Sequence, residues 1–369
     1  MSRILKILFL VIGLIILIGF GILLYKELFP KKPQVEELKR EERPSAPTEF
    51  PSEETSTKEA TETIEVPTTS KVDTKASIKS PSLLIDTILL YPKIDYPYIY
   101  GYDPTNKVIK AYNIEDKTYK EIFKKDNIKD LNFSKSNLLV LFKDNNFWLL
   151  DTIKDKLIKL PINTKTAFWM NDDLYLFISS GEVNYLAKYV GDLKKVVDLY
   201  IFNPVFDYLD QNIIFYENPR KVYNSPLFLI KDTKEKVQLL EPKMLLNALT
   251  NKKDLIFVSY IENTWKSFII DKNGNKIIEF NFGTLKEKCS FKEILICGVP
   301  KDQGFSKIDD WYYYKKTFSD KLIIFDPKNL KLDYYDLDGD FDIINPVLTP
   351  IGVIFFNRND AKLYVVQIK

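Results

Sequence analysis

The sequence predicts an all-β fold, a seven-bladed β-propeller of four-stranded blades, preceded by a single transmembrane helix and a disordered linker. Three observations carry this prediction. Beyond Leu83 the chain is a succession of short β-branched and aromatic runs broken by Asp, Asn, Gly, Pro and Lys, the composition of strands and turns. One of these runs recurs at nearly constant spacing. The first 82 residues share neither property and divide in two by composition.

Residues 1–29 hold an uncharged stretch of 19 residues, Ile7 to Tyr25 (ILFLVIGLIILIGFGILLY), behind Arg3 and Lys6. As a helix it would extend roughly 28 Å, close to the hydrocarbon thickness of a bilayer. A secretory signal has a shorter apolar core, about 7–15 residues, and a small-residue cleavage site. Here the run passes straight into KELFPKK, so an uncleaved anchor is expected. A buried core helix is the alternative, but an all-round apolar helix entering a polar tract has no core to join.

Residues 30–82 are dominated by Pro, Glu, Lys, Ser and Thr, with Phe50 the only aromatic residue. Such a segment offers too little apolar surface to offset its ordering entropy, and a flexible tether with an end-to-end distance of about 40 Å is expected. For orientation, the positive-inside rule sets Arg3, Lys6 and the amino terminus against Lys26, Lys31, Lys32, Lys39 and Arg40. Alone, that count favours a cytoplasmic C-terminal part. The signal-like position of the helix, the Ser/Thr/Pro tether and the cysteine spacing favour the opposite side. A single-pass membrane protein with its propeller outside the cytoplasm is the expected arrangement.

Residues 83–369 carry the repeat. VIKAYNI, NFWLLDT, NYLAKYV, LFLIKD, WKSFIID, KLIIFD and KLYVVQI begin at 108, 146, 184, 227, 265, 321 and 362, at intervals of 38, 38, 43, 38, 56 and 41. Six of them lead through a short turn to a further strand, near the start of which stand Lys156, Lys195, Lys236, Lys276 and Lys331. Each is preceded by another apolar run, from YIYGYD to VIFFNR, and by a more variable strand ahead of that. Four strands per unit result, and in a propeller each blade covers the apolar face of the next. Continuous apolar runs at the second and third positions suit strands buried on both faces. The seventh unit stops after its third strand, so Leu83 to Asp86 is expected to supply the fourth and close the ring. An open β-solenoid is the alternative. MLLNAL, Met244 to Leu249, is the one helix-like hint.

The interval of 56 marks an insertion between the second and third strands of the sixth unit: 28 residues separate the starts of EILICGV and KLIIFD, against 8 to 15 elsewhere. In propellers such loops share a face with the connections between blades, so Val299 to Asp320 is expected to overhang the channel. Asp309, Asp310, Trp311, Tyr312, Tyr313, Tyr314 and Phe318 are the candidate binding residues, because aromatic rings give contact area at low entropy cost. Two readings stand for them: a recognition loop, or a plug folded onto the sixth blade. Cys289 and Cys297 lie on the first and second strands of the same unit, centred on Glu293. Directly opposed strand positions approach disulfide range, so they read as a candidate disulfide in an oxidising compartment or as two buried thiols. The acidic run DYYDLDGDFD puts Asp336, Asp338, Asp340 and Asp342 around Gly339. Tyr334 and Asn345 occupy the first and last positions of a calcium loop, where acidic residues are needed, and a solvated turn between blades is expected. DKNGNK (271–276) reads as a hairpin turn with Gly274 at positive φ.

CSFKEILICGVPK and DDWYYYKKTFSD, together with the strand repeats, resemble the TolB-like and WD-repeat-like β-propeller proteins, in the version with an N-terminal membrane anchor carried by bacteria with reduced genomes. The resemblance spans roughly residues 83–369 and implies the fold. The chain departs from TolB in lacking an α/β domain ahead of the propeller and in keeping its anchor, so TolB's partners do not carry over, and no function is implied.

A formal net charge of +2 over 369 residues is no footprint for nucleic acid. The absence of histidine removes Ser-His-Asp and Cys-His catalysis and every His-ligated metal site. No catalytic residue, metal ligand or cofactor is assigned. The expected function is a binding or scaffold module for an envelope protein or glycan. The alternative is a carboxylate-dependent glycosidase or lyase on the propeller face, using Asp309 or Asp310 with a partner.

Overall fold

The computed structural model describes residues 80–134, 137–152, 154, 156–181, 183–218, 224–302 and 308–368. The apolar run Ile7–Tyr25 and the linker up to residue 79 lie outside the described residues. Among the described residues, no helix is long and apolar enough to cross a membrane.

The strands pair with their chain neighbours in antiparallel sheets. Strands β2 (Leu90–Asp95) to β5 (Thr118–Lys124), β6 (Ile128–Ser134) to β9 (Lys156–Lys159), β10 (Thr164–Met170) to β13 (Leu193–Leu199), and β21 (Cys289–Phe291) to β24 (Lys331–Asp336) form four-stranded sheets in order. Strands β14 (Pro204–Leu209) to β20 (Lys276–Phe280) form one sheet of seven. They do so because β17 (Lys236–Thr250) pairs β16 (Asn224–Ile230) at its start and β18 (Leu255–Glu262) at its end. The MLLNAL segment is therefore strand and not helix. Its register breaks between Met244 and Asn247, where Leu245 takes φ +52°, a conformation that ends a helix and turns a strand. Packing against both neighbouring strands outweighs the helical propensity of Leu, Met and Ala.

The last sheet is closed by the first strand. β25 (Ile343–Thr349), β26 (Gly352–Asn357) and β27 (Lys362–Val366) are joined by β1 (Ser82–Ile85), with Ser82 opposite Val365 and Leu83 opposite Tyr364. Second strands such as β26 are buried along their whole length, whereas the fourth strand β5 is almost wholly exposed. Apolar clusters lie between consecutive sheets. Ile109 packs with Leu138 and Val140, and Phe177 with Phe215. Ile354 and Leu363 of the last sheet pack on Ile99 and Tyr112 of the first, which brings the array round on itself. Fully burying one such Leu or Ile contributes about 1.5–3 kcal/mol, so the sheet-to-sheet seams hold the domain together. The turn of Asp271 to Lys276 has Gly274 at φ +87°, where an added Cβ would stand 2.9 Å from the Leu239 carbonyl oxygen.

Candidate functional site

The insertion joins β22 (Leu295–Pro300) to β23 (Asp320–Asp326) and contains one short helix, α1 (Ile308–Tyr312). The helix stops at Tyr314, which takes φ +58° while its N–H donates to the Trp311 carbonyl at 3.0 Å. A left-handed residue after a last turn is a common helix ending. Ile308, Trp311, Tyr312 and Phe318 are buried against Leu245, Ile261 and Leu285, with Trp265 and Ile344 at the margin. These partners come from β17, the β18–β19 (Thr264–Asp271) end, the connection before β21, and β25. Tyr313 and Tyr314 remain 65% and 79% exposed. Tyr314 also neighbours Tyr91 of the first sheet, whose hydroxyl is pushed up by burial and next by Tyr314. Asp310 is half-buried, with Lys316 Nζ 3.7 Å away. The side chain of Asp309 lies outside the described set. Arg358 lies 4.1 Å from the ring centres of both Trp311 and Tyr314 and donates to the Trp311 carbonyl, a cation–π clamp across the loop.

Beneath the rings lies a fully buried charge cluster. The connection from β20 to β21 is tied down along its length. Ser267 Oγ donates to the Phe282 carbonyl, Thr284 N–H donates to Ser259 Oγ at 3.2 Å, and Thr284 Oγ1 donates to the Gly298 carbonyl at 2.6 Å. Gly283 fits because a Cβ there would lie 2.3 Å from the Trp265 side chain. A 3-10 turn, Lys286–Lys288, then turns Lys288 inward. Its Nζ donates to Asp320 Oδ2 at 2.5 Å and to Asp342 Oδ1, and none of the three side chains is exposed. Asp342 also accepts the Trp311 Nε1–H at 2.8 Å and the Phe318 N–H at 3.2 Å on Oδ2. Asp320 Oδ2 accepts the Ile343 N–H at 2.6 Å, while Asp320 Oδ1 is buried with no partner among the described residues. Gly298 leaves room for this arrangement, since a Cβ there would stand 2.5 Å from Ile343 Cβ and 3.0 Å from Asp320 Oδ2.

One cation between two carboxylates leaves a formal excess of one negative charge away from water. Burial pushes the Asp320 carboxyl up to about 6; Lys288 opposes the shift and the Asp342 charge adds to it. Desolvation therefore prevails over the ion pair. Cys289 directly follows Lys288 in the chain, and Cys297 directly precedes Gly298. The two cysteines stand directly opposite each other, with Cα atoms 4.1 Å apart, and their sulfurs are bonded.

A second feature lies on the same side of the sheets. The chain from β13 to β14 and the ends of β15 (Asn212–Glu217) and β16 border a cavity of about 690 Å3. Leu199, Ile201, Phe215 and Phe228 give it an apolar lining, with Glu217 and Lys236 as its charged groups. At its mouth Tyr200 and Phe202 are 85% and 88% exposed. The Lys236 ammonium sits 5.7 Å from the Tyr200 ring centre.

The structure thus divides the seven candidate binding residues. Trp311 and Phe318 lie over the buried charged cluster, and Tyr312 is buried beside them. Tyr313 and Tyr314 face water. Lys288, Asp320, Arg358 and the cavity were missed by the sequence reading. Asp342 departs from the expected solvated acidic turn: it is flanked by Phe341 and Ile343, both core residues, and that flanking was the available signal. For the cavity the signal was LYIF (199–202), an apolar run where a polar connection between strands is normal. Among the described residues, no three His, Cys, Asp or Glu side chains gather as a metal site.

No family model matches the chain, and no curated protein matches it. Solved structures match its fold. An oligogalacturonate lyase from Vibrio parahaemolyticus is 11% identical, with 78% of this chain and 92% of that chain covered and a TM-score of 0.52. A catalytically inactive histidine-to-alanine variant of virginiamycin B lyase from Staphylococcus aureus, with quinupristin, is 13% identical over 79% of this chain and 99% of its own, with a TM-score of 0.52. A streptogramin B lyase is 11% identical over 77% and 96%, with a TM-score of 0.51. Identities this low speak for architecture and not for activity. On the sheet order and on these likenesses, the described residues form a β-propeller.

Proposed function

We propose that the chain is a membrane-anchored, extracytoplasmic propeller of seven blades that acts as a binding module, taking an apolar or aromatic segment of an envelope protein or glycan at the Tyr200–Phe202 cavity. The observation that carries this reading is the cavity itself. Its volume of about 690 Å3 is in the range of ligand sites, which are mostly apolar with a few placed polar groups. Two large rings held in water at its mouth are unusual unless something covers them. The count of seven blades is supported by dividing the seven-stranded sheet at the bend of β17. An outer location is supported by the bonded cysteines, since disulfides persist in oxidising compartments, and by the apolar run Ile7–Tyr25.

Binding is favoured over catalysis because Asp320 and Asp342 are sealed under Trp311 and Phe318. The activity of the virginiamycin B lyase neighbour is lost when one histidine is replaced, and this chain has none. The test is a peptide and glycan array probed with the full-length protein and with a Tyr200→Ser, Phe202→Ser double variant. Binding lost in the variant at unchanged melting temperature supports the cavity. A ligand held equally by both proteins removes it, and release of a cleaved glycan would replace binding with catalysis.

A further inference from the structure

Lys288, Asp320 and Asp342 meet the requirements of an amide-forming site. We propose that Lys288 and Asp320 condense into an intramolecular isopeptide bond, Nζ to Cγ, beneath the insertion, with Asp342 as the proton carrier. Near-attack arrangements hold reacting atoms about 3–3.5 Å apart, and Lys288 Nζ is held against the carboxyl group it would attack, 2.5 Å from Asp320 Oδ2. The obstacle in water is ionisation: an ammonium has no lone pair to offer and a carboxylate is a poor electrophile. Enclosure lowers that obstacle on the acid side, because burial without water favours the neutral form of the Asp320 carboxyl. The rings of Trp311 and Phe318, centred 5.5 and 5.2 Å from Nζ, keep the water out.

The two carboxylates differ in ways that assign their roles. Asp342 accepts hydrogen bonds from Trp311 Nε1 and the Phe318 N–H as well as from Lys288, which fix it in place as an acceptor beside Nζ. Asp320 has one oxygen with no partner among the described residues, and its burial favours the protonated acid. The Lys288 ammonium passes one proton to Asp320 Oδ2, the oxygen it already contacts, leaving a neutral amine and a neutral acid. The amine lone pair attacks Cγ, and the negative charge develops on Oδ1. Nζ gives its next proton to Asp342 Oδ1, its other hydrogen-bond partner. That proton passes to Oδ2, which already bears the first; the Cγ–Oδ2 bond breaks, the Cγ–Oδ1 double bond re-forms, and Oδ2 leaves as water. One ammonium and one carboxylate have become one amide and one water; Asp342 ends as it began, and nothing is oxidised or reduced.

The bond would join positions 32 apart in sequence and enclose both the disulfide and the whole insertion. The experiment is mass spectrometry on the purified full-length chain after its disulfide is reduced and alkylated. The expected result is an intact mass lower by one water, no tryptic cleavage after Lys288, and a branched peptide joining Lys288 to Asp320. A mass equal to the sequence, a free Lys288 peptide or a branch to Asp342 would overturn the proposal. In Asp342→Asn the branched peptide should be at least tenfold less abundant at equal incubation; undiminished linkage removes Asp342 as the carrier. The wild-type measurement stands even where a variant fails to fold.

Discussion

Two aromatic clusters on one side of this propeller are put to opposite uses. Under the insertion, Trp311 and Phe318 cover charged groups, and among the described residues Asp320 Oδ1 is the buried oxygen of that cluster with no partner. At the cavity, Tyr200 and Phe202 stand exposed beside an apolar lining. The same residue types are a lid in one place and an open mouth in the other, so aromatic content by itself does not locate a binding surface. Among the described residues, what separates them is whether the chain itself supplies a partner. The insertion is long enough to bring its own cover, whereas the four-residue link between β13 and β14 is not.

Breaking the covered cluster should give the largest effect. Lys288→Met leaves two buried carboxylates without a cation and should cost about 3–5 kcal/mol, read as a lowered denaturation midpoint at unchanged m-value. A variant as stable as the parent would mean that water reaches the cluster. Trp311→Phe keeps a ring but removes the donor to Asp342, and a loss of about 1–3 kcal/mol is expected for the unsatisfied carboxylate.

The response to pH sharpens the comparison further. Burial pushes Asp103 up, but its bonds from Lys110 and Asn106 outweigh that and hold it at about 2, below the ordinary 3.8. Its contribution is present above 3.8 and is lost as pH falls towards 2. Asp320 has the opposite sign: with a folded value near 6 against 3.8, a free side chain makes stability decline as pH rises from about 4 to about 6. A side chain held in an amide does not titrate, and that decline would be missing. Urea titrations at several pH values, compared with Asp320→Ala, distinguish the two states.

The smallest effect belongs to the open cluster. Tyr200→Ser and Phe202→Ser should change stability by no more than about 0.5 kcal/mol, as exposed positions do, while binding at the cavity is lost. A larger loss of stability would show that these rings support the connection.

The strand repeat was legible because each run carries its burial in its own composition: Val353 to Phe356 of β26 are all apolar and all buried. The closure by β1 could be read from a unit that lacked a strand. The division of the insertion could not, because Trp311 is buried by Leu245, Ile261 and Leu285, none of them near it in sequence. Lys288 sits in KEKCSF, where nothing local tells a buried lysine from the exposed ones around it. Only the meeting of three connections makes it the centre of a cluster.

The passage of one strand, β17, from β16 through its bend to β18 has a consequence for how the ring comes apart. A strand bonded to β16 at one end and β18 at the other cannot release one repeat while leaving the next intact. The segment 204–280 is then a single cooperative block, and its amides should exchange with solvent together and late, while the separate four-stranded sheets open one at a time. A ring assembled from similar repeats would in that case have one seam that behaves as no seam at all.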